Sequence, residues 1–304
     1  MTTSRDALHG RADDLRTQRV PFVHARVVLA DRPTSSKPGD EAIVLADGTI
    51  EGFVGGTCAE STVRAQSLAL LDSGETLLLR ICPAPEADQP GKLVVHNPCL
   101  SGGTLEIFLE PVLPAPLVVV VGVTPIGTAL ARLGAALGYE IAHYDGSVPD
   151  GANALVVASH GRDEEESLRA ALAAGVPYVG LVASRKRGEA VVASLGAEES
   201  MAARISTPAG IDLGARTPEE VALSILAEIV ASRPRPSGRS VGESASDSAE
   251  RTTTSTTAAD LVCGMSVAMV DASLHLDHDG ARYWFCGSGC LRAFAAEPAR
   301  YVSA

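Results

Sequence analysis

Cys58 lies in the stretch GFVGGTCAES, where two glycines and a threonine come directly before a long amphipathic run. Thr57 and Glu60 have the spacing of a capping box, in which the threonine side chain accepts a hydrogen bond from the amide three residues on. The pattern predicts a helix with Cys58 as its first residue. Unpaired amides and the positive end of the helix dipole would then favour the thiolate form of Cys58.

Gly55 and Gly56 remove two side chains just before this thiol, so a ligand could approach the backbone closely. The pattern therefore predicts a nucleophilic or ligand-binding thiol, with Glu60 beside it. A structural role fits the same residues: the glycines form a tight turn, Glu60 caps the helix and Cys58 is a small buried residue. Spacing alone leaves both interpretations open.

A second thiol has similar surroundings. Cys99 lies in NPCLSGGTLEIF, ahead of Gly102, Gly103 and a predicted strand. Two thiols beside two glycine turns could face one pocket. Cys82 ends the apolar run LLLRIC just before a proline, which is typical of a strand-end or core residue.

Three further cysteines lie near the C-terminus, at Cys263, Cys286 and Cys290. The segment is too short for a large core, and a bound zinc or copper ion would supply the stability that such a core lacks. The sequence does not identify a fourth ligand. The alternative is a packed mini-domain with an aromatic core formed by Tyr283, Trp284, Phe285 and Phe294.

The chain divides by pattern into segments of different composition. Strand-rich residues with one prominent helix come first, and from about Leu117 apolar runs alternate with helical patterns, which predicts a parallel sheet covered on both faces. A stretch dominated by Ser, Thr, Pro and Ala follows, and this composition predicts a flexible tether. We therefore predict an α/β protein with a mixed α+β domain over 1–113, a Rossmann-like domain over 114–233, a disordered linker over 234–259 and a small cysteine-containing module over 260–304.

The run VVVVGVTPIGTALA has the layout of a first Rossmann unit, with Gly122 after a strand, Gly127 in the next helix and Asp145 after the next strand. Thr124 stands where the dinucleotide fingerprint has its middle glycine. Its Cβ weakens the prediction of a dinucleotide site, although Pro125 suits a first helical turn and leaves room for an anion.

Ser184 and Arg185 follow another predicted strand, at the edge where open α/β sheets bind ligands. Arg185 opens a helix with Lys186 and Arg187, and basic residues are unfavourable at that end of the dipole unless an anion joins them. A solvated surface run is the simpler explanation. His160 follows a third strand and fits either a ligand contact or a polar strand end.

The formal charge of −12 argues against nucleic acid or an anionic membrane as a partner, because both require clustered Lys and Arg. The N-terminus lacks the basic start and apolar stretch of a signal peptide, and the longest apolar run is interrupted before it reaches membrane-spanning length. We therefore expect a cytoplasmic protein, whose six cysteines are thiols or metal ligands.

Three stretches in this order resemble the XdhC/CoxI family of accessory proteins for molybdenum hydroxylases: KPGDEAIVLADGTIEGFVGGTCAES, CLSGGTLEIFLEP and the unit ending in RISTPAGIDLGARTPEEVALSILAEIVAS. The resemblance covers about residues 20–233. It implies a chaperone that binds molybdenum cofactor (molybdopterin), supports its sulfuration with a cysteine desulfurase and inserts it into the large subunit of xanthine or carbon monoxide dehydrogenase. It also implies a homodimer.

By this resemblance Cys58 lies nearest the cofactor, with Cys99 as a weaker companion. Many members read Gly-x-Gly-His where this chain has Thr124 and Pro125. The predicted cofactor-binding set draws on both domains and consists of Gly55, Gly56, Cys58, Glu60, Cys99, Gly122, Thr124, Asp145, Ser184 and Arg185.

The last segment resembles the YHS domain, close to TRASH-type metal modules, through Val-Cys-Gly-Met, Tyr-Trp-Phe-Cys and a following Cys, Phe, Pro and Tyr. This implies a zinc or copper site at Cys263, Cys286 and Cys290. Two other functions stay open: a soft-metal sensing or trafficking protein, and an NAD(P)-dependent oxidoreductase. Deletion of 234–304 would abolish the function of a metal sensor, whereas a cofactor chaperone would keep most of its activity.

Overall fold

The computed structural model describes residues 5–97, 103–233 and 257–302. The chain forms two compact units, the first from Met1–Pro114 together with Pro236–Ala304 and the second from Ala115–Arg235. The C-terminal module therefore belongs to the same unit as the N-terminal domain. Most of the predicted linker lies outside the described residues.

A six-stranded sheet organises the N-terminal domain in the order β3-β2-β1-β6-β4-β5. Its neighbours are antiparallel except for β4 and β5, which are parallel. The strands are β1 (Phe22–Ala30), β2 (Glu41–Leu45), β3 (Ile50–Gly52), β4 (Leu77–Cys82), β5 (Leu93–His96) and β6 (Leu105–Val112). Alternate residues of each central strand face opposite sides, so the sheet packs apolar residues on both faces.

Helices cover both faces of this sheet. Helix α2 (Thr57–Ser73) packs on β1 and β6, and it ends at Gly74 in the left-handed conformation, φ +72°. Helix α1 (Arg5–Thr17) buries Leu8 and Leu15 against Phe22 on the other face. The sequence analysis predicted α2 but not α1, although its buried residues have ordinary helical spacing.

The second unit is the predicted Rossmann-like domain, with an all-parallel sheet in the order β11-β10-β9-β7-β8. Its three central strands are buried on both faces, as a parallel sheet covered by helices requires. The chain order reverses between β7 and β9, which marks the switch point of this sheet. The elements are β7 (Leu117–Val121), α3 (Pro125–Ala136), β8 (Glu140–His143), β9 (Ala152–Val157), α4 (Glu164–Ala173), β10 (Tyr178–Leu181), α5 (Arg185–Ser194), α6 (Glu199–Ala202), β11 (Ile205–Ser206) and α7 (Pro218–Ala231).

The C-terminal module consists of two hairpins and a helix: β12 (Thr257–Ala259) with β13 (Ser266–Ala268), β14 (Leu274–His278) with β15 (Ala281–Phe285), α8 (Ser288–Ala296) and a 3₁₀ turn (Pro298–Arg300). It begins slightly before the predicted residue 260. Phe294 is fully buried and its ring centroid lies 4.9 Å from that of Tyr283 and 5.2 Å from that of Phe285. The module thus has the aromatic core that the sequence offered as an alternative to metal binding, and it has a cysteine cluster as well.

The module packs against the N-terminal domain through β13, which lies on helix α2. A Cβ atom on Gly48, in the turn between β2 and β3, would lie only 2.6 Å from Cγ2 of Val270. Strands β2 and β3 form an antiparallel hairpin, and Gly48 in its turn adopts φ +83°. The glycine therefore serves both the turn and the close approach of the module.

None of the helices in the described ranges combines the length and the apolar character that crossing a bilayer requires.

Candidate cofactor and metal site

Helix α2 begins one residue earlier than predicted, at Thr57, and its N-cap is Gly56 with no side-chain cap. The predicted capping box is therefore wrong at this helix, because Thr57 is already helical and its side chain is past the capping position. Gly55 makes the early start possible: it adopts φ +153°, and a Cβ on it would lie 2.8 Å from Cβ of Ala59. Cys58 is half-buried in the first turn.

A cavity of about 520 Å³ opens beside Cys58. The N-terminal domain contributes Gly56, Cys58 and Cys82 to its wall, and the C-terminal module contributes Gly287, Ser288 and Cys290. This volume is in the range of pockets that hold small molecules and cofactors. The predicted glycine turn thus borders a cavity, and the C-terminal module forms part of its wall.

Two helices begin at this cavity. Helix α2 has Gly56 as its N-cap and helix α8 has Gly287, and neither cap position supplies a side-chain hydrogen bond. The first amides of each helix carry partial positive charge, which favours an anionic group nearby. The cavity therefore combines thiols with two positive helix ends.

Cys99 and Gly102 lie outside the described residues, so the predicted pairing of Cys99 with Cys58 stays a prediction. Asn97 and Gly103, on either side of that segment, both line the cavity. A Cβ on Gly103 would lie 1.7 Å from the carbonyl oxygen of Asp31, so only glycine fits there. Cys82 is the buried strand-end residue that the sequence predicted, and burial raises the pKa of its thiol.

Glu60 lies on the same face of α2 as Arg64, one turn along the helix. Burial raises the pKa of Glu60, although the charge of Arg64 opposes this shift. Burial also lowers the pKa of Arg64, whose Nε donates a 2.7 Å hydrogen bond to the carbonyl of Gly48. Glu60 is therefore a partly desolvated carboxyl group that is not among the residues lining the cavity, and it is not the predicted helix cap.

The three C-terminal cysteines come together with one residue that the sequence analysis missed, Asp260. One ligand atom from each of the four residues lies within 4.8 Å of the others. The Sγ atoms of Cys263 and Cys286 are 3.5 Å apart, and those of Cys286 and Cys290 are 3.7 Å apart. The missed signal was an acidic residue just before the first cysteine of the motif, in the sequence DLVC.

Asp260 is fully buried and organises the cluster. Its carboxylate accepts hydrogen bonds from the amide of Val262 at 2.9 Å and from that of Cys286 at 2.8 Å. His275 and His278 are not members of the cluster. His275 packs on Trp284 and has Nδ1 2.9 Å from the carbonyl of Ser273, whereas His278 lies 3.3 Å from Asp279.

Cys58 reaches this cluster from the N-terminal domain. Its side chain packs on the apolar cluster that contains Cys286, and the neighbouring Cys58 thiol, followed by burial, raises the pKa of the Cys286 thiol. Burial and the nearby charge of Asp260 also raise the pKa of Cys290. Without a cation these shifts favour neutral thiols, and a bound cation reverses that preference.

In the second unit, the glycine turn after β7 is close-packed. Gly122 adopts φ +96°, and a Cβ there would lie 2.6 Å from Cα of Ser159. Thr124 is the N-cap of α3: its Oγ1 accepts a 3.2 Å hydrogen bond from the amide of Gly127 and donates a 2.7 Å bond to the carbonyl of Ala158. The residue that departs from the fingerprint thus joins this turn to the end of β9.

The other predicted residues of the second unit also have local partners. Ser184 caps α5, and Arg187 in the same helix pairs with the buried Glu164 at 2.5 Å. Asp145 is exposed and accepts hydrogen bonds from Ser147, which lower its pKa. Arg185 is exposed. All residues that line the cavity beside Cys58 belong to the first unit, so a cofactor role for these second-unit residues stays a prediction.

Comparison with known proteins gives relatives of moderate similarity. The chain is 28% identical over 252 residues to the protein YqeB of Escherichia coli (strain K12), with 72% of this chain and 45% of YqeB covered. The chain therefore spans less than half the length of this curated relative. A crystal structure of a xanthine dehydrogenase from Bacillus halodurans aligns with 76% of this chain and 97% of that chain, at 14% identity and a TM-score of 0.35.

Family models match three successive parts of the chain. The XdhC and CoxI family matches residues 15–81, the XdhC Rossmann domain matches 118–229 and the YHS domain matches 258–304. The matches have the order that the sequence analysis predicted, and they fall on the mixed sheet domain, the parallel sheet and the cysteine module. The chain belongs to the XdhC and CoxI family and carries a C-terminal YHS domain.

Proposed function

We propose that this protein binds molybdenum cofactor in the cavity beside Cys58 and acts as an accessory factor for a molybdenum hydroxylase. The observation that carries the proposal is the cavity itself, which brings a half-buried thiol and two helix N-termini to one space of about 520 Å³. Membership of the XdhC and CoxI family supports it.

The residues present fit such a ligand. The amides at the starts of α2 and α8 suit the phosphate of a molybdopterin, and a thiol at Cys58 suits a soft metal–sulfur centre. Gly56 lines the cavity, and a Cβ there would meet no protein atom within 4 Å, so the space beside this residue is open to a ligand. Once bound, the cofactor would supply the molybdenum and sulfur chemistry, while the chain binds, orients and shields it.

The partners follow from the family resemblance and belong to the same proposal. They are the large subunit of the hydroxylase that receives the cofactor, a cysteine desulfurase that provides sulfur, and a second copy of this chain, all in the cytoplasm. The acidic composition makes nucleic acid an unfavourable partner.

The test is cofactor loading. The protein is incubated with molybdenum cofactor and desalted, and its molybdenum and pterin contents are measured for the wild type, Cys58→Ala and Cys82→Ala. Cys82 is the matched control, because it lines the same cavity without belonging to the cysteine cluster. We expect near-stoichiometric loading of the wild type and of Cys82→Ala, and loss in Cys58→Ala. Absence of loading in the wild type would contradict the proposal.

A second candidate function, soft-metal binding by the YHS domain, is supported by the cluster of Asp260, Cys263, Cys286 and Cys290. Thiolates with one carboxylate form a suitable donor set for zinc, and thiolates alone suit Cu(I). The test is the zinc and copper content of the full chain, with Cys290→Ser expected to lose the metal. The oxidoreductase alternative has no comparable support, because the Thr124 side chain ties the glycine turn after β7 to the end of β9.

A further inference from the structure

We propose that Cys58 is shared between two sites: it faces the cofactor cavity, and it is also a ligand of the metal cluster in the YHS domain. A soft d¹⁰ cation, Zn²⁺ or Cu(I), would bind Cys58 together with Cys263, Cys286 and Cys290, and would hold the module over the cavity. The metal-binding part stands independently, and the consequence for the cofactor rests on the proposed function.

Cys58 in the N-terminal domain contacts the cysteine cluster of the YHS domain. Cys58 packs on the apolar cluster of Met265, Val267 and Cys286, together with Cys263 and Cys290. A Cβ on Gly287 would lie 3.1 Å from Sγ of Cys58. The absence of a side chain at Gly287 therefore lets the thiol of one domain reach the cluster of the other.

The distances between sulfur atoms in the cluster are close to those of a metal site. A tetrahedral zinc site with Zn–S bonds of about 2.3 Å places its sulfur atoms about 3.8 Å apart. The Sγ–Sγ distances of 3.5 Å between Cys263 and Cys286 and of 3.7 Å between Cys286 and Cys290 are close to that value. The thiols of Cys263, Cys286 and Cys290 are therefore arranged near the geometry that a cation requires. Cys58 lies outside the group whose ligand atoms are all within 4.8 Å of one another, and it would complete the site by moving toward these three thiols.

Two residues are candidates for the fourth ligand of the cation, Asp260 and Cys58. Asp260 lies within the cluster, but both of its carboxylate oxygens already accept backbone hydrogen bonds that hold the loop and Cys286. A soft cation prefers sulfur to carboxylate oxygen, and Cys58 is the thiol that contacts the cluster from outside the module. We therefore assign Cys58 as the fourth sulfur ligand and Asp260 as the group that positions Cys286.

Binding of the cation changes both the protonation and the contacts of these thiols. Each thiol that binds the cation releases its proton to solvent, and a sulfur–metal bond replaces the contact between the thiols of Cys58 and Cys286. The module would then be tied to the first turn of α2. Cys58 would be withdrawn from the cavity while metal is bound, so the metal would compete with any cofactor that uses this thiol.

The experiment uses the full chain under reducing conditions. Zn²⁺ affinity is measured by competition with a chromophoric chelator, and Co²⁺ is used to record thiolate-to-metal charge-transfer absorption, whose intensity grows with the number of bound thiolates. The variants are Cys58→Ser, Cys82→Ser as matched control, and Cys290→Ser. We expect one metal per chain, an affinity at least about tenfold weaker for Cys58→Ser with lower charge-transfer intensity, and no change for Cys82→Ser.

A second readout follows alkylation of Cys58 by mass spectrometry, with and without Zn²⁺. Bound metal should slow this alkylation several-fold in the wild type but not in Cys290→Ser. Wild-type affinity and an unchanged cobalt spectrum in Cys58→Ser would overturn the proposal, as would absence of metal binding to the wild-type chain. Cofactor loading lost in Cys58→Ala alongside unchanged metal affinity in Cys58→Ser would refute the shared site and leave the cofactor proposal standing. Unchanged cofactor loading in Cys58→Ala together with weakened metal affinity in Cys58→Ser would refute only the cofactor proposal.

Discussion

The Cys58 side chain packs against the cluster that contains Cys286, although the two residues are far apart in the sequence. The contact joins the first turn of α2 to the cysteine cluster of the YHS domain, and both border one cavity. Cofactor binding and metal binding are therefore expected to influence each other through this pair of thiols.

The two glycines before Cys58 are predicted to respond differently to alanine. Gly56 has φ −73°, and a Cβ there meets no atom within 4 Å, so Gly56→Ala should fold normally while placing a methyl group beside the cavity. Gly55 has φ +153° and would clash with Ala59, so Gly55→Ala should lose about 1–3 kcal/mol of stability.

Urea unfolding and cofactor loading, measured on both variants, separate these effects. We expect Gly56→Ala to lose at most about 1 kcal/mol of the free energy of unfolding, because alanine is less favourable than glycine at an N-cap, and to load less cofactor. Equal loading of Gly56→Ala and wild type would show that the cofactor does not approach this turn.

Asp260→Asn should destabilise the YHS domain without removing a thiol. An asparagine side chain offers one oxygen to two backbone amides, so its NH₂ group would face either the amide of Val262 or that of Cys286. The unpaired buried amide costs about 1–3 kcal/mol. Hydrogen exchange of the Cys286 amide measures the loss, and Asp277→Asn, at an exposed position in the same module, is the control. Unchanged protection of Cys286 would contradict the role given to Asp260.

Most of the fold could be predicted from local pattern, because strands and helices have different apolar periods and the parallel sheet requires continuous apolar strands. Helix α1 was not predicted, because polar and charged residues dominate RDALHGRADDLRT and only Leu8, Ala12 and Leu15 form its buried stripe. The start of α2 was misplaced by one residue, because Thr57 and Glu60 have capping-box spacing whichever residue actually caps the helix. A complete capping box does occur at Thr217 and Glu220, where α7 begins.

The site itself depended on contacts that local sequence does not encode. The cysteines of the YHS domain were recognisable from their motif, but the approach of Cys58 depends on how the module packs on α2. Gly48 and Gly287 permit that packing by lacking side chains, and neither has a pattern that distinguishes it from an ordinary turn glycine. Asp260 was missed because its role is burial and backbone hydrogen bonding.

Thr124→Gly would restore the glycine of the dinucleotide fingerprint, and we expect it to weaken the second unit. The variant loses the helix cap to Gly127 and the hydrogen bond to the carbonyl of Ala158, which together contribute about 1–2 kcal/mol. Thr124→Ser keeps the hydroxyl and should retain most of the stability. Chemical denaturation of both variants makes the comparison, and a glycine variant as stable as wild type would show that the hydroxyl contributes nothing to this turn.

Glu41 should make the stability of the N-terminal domain depend on acid pH. Burial opposes ionisation of its carboxyl group, but hydrogen bonding with His9 and the charges of Arg26 and His24 outweigh that effect and lower its pKa below 4.5. The folded protein therefore favours the carboxylate more than the unfolded chain does. This contribution is fully present above pH about 4.5 and is lost as the pH falls through the lowered pKa of the folded state.

Glu41→Gln should accordingly lower the free energy of unfolding at pH 7 by about 1 kcal/mol, a modest value because His9 and Arg26 are half-exposed. The difference between wild type and variant should shrink below pH 4.5, because protonation removes the same charge from the wild type. Urea unfolding from pH 3 to pH 7 measures this, with the exposed Glu75→Gln as control. A difference that stays constant across this range would show that Glu41 acts through its shape and not its charge.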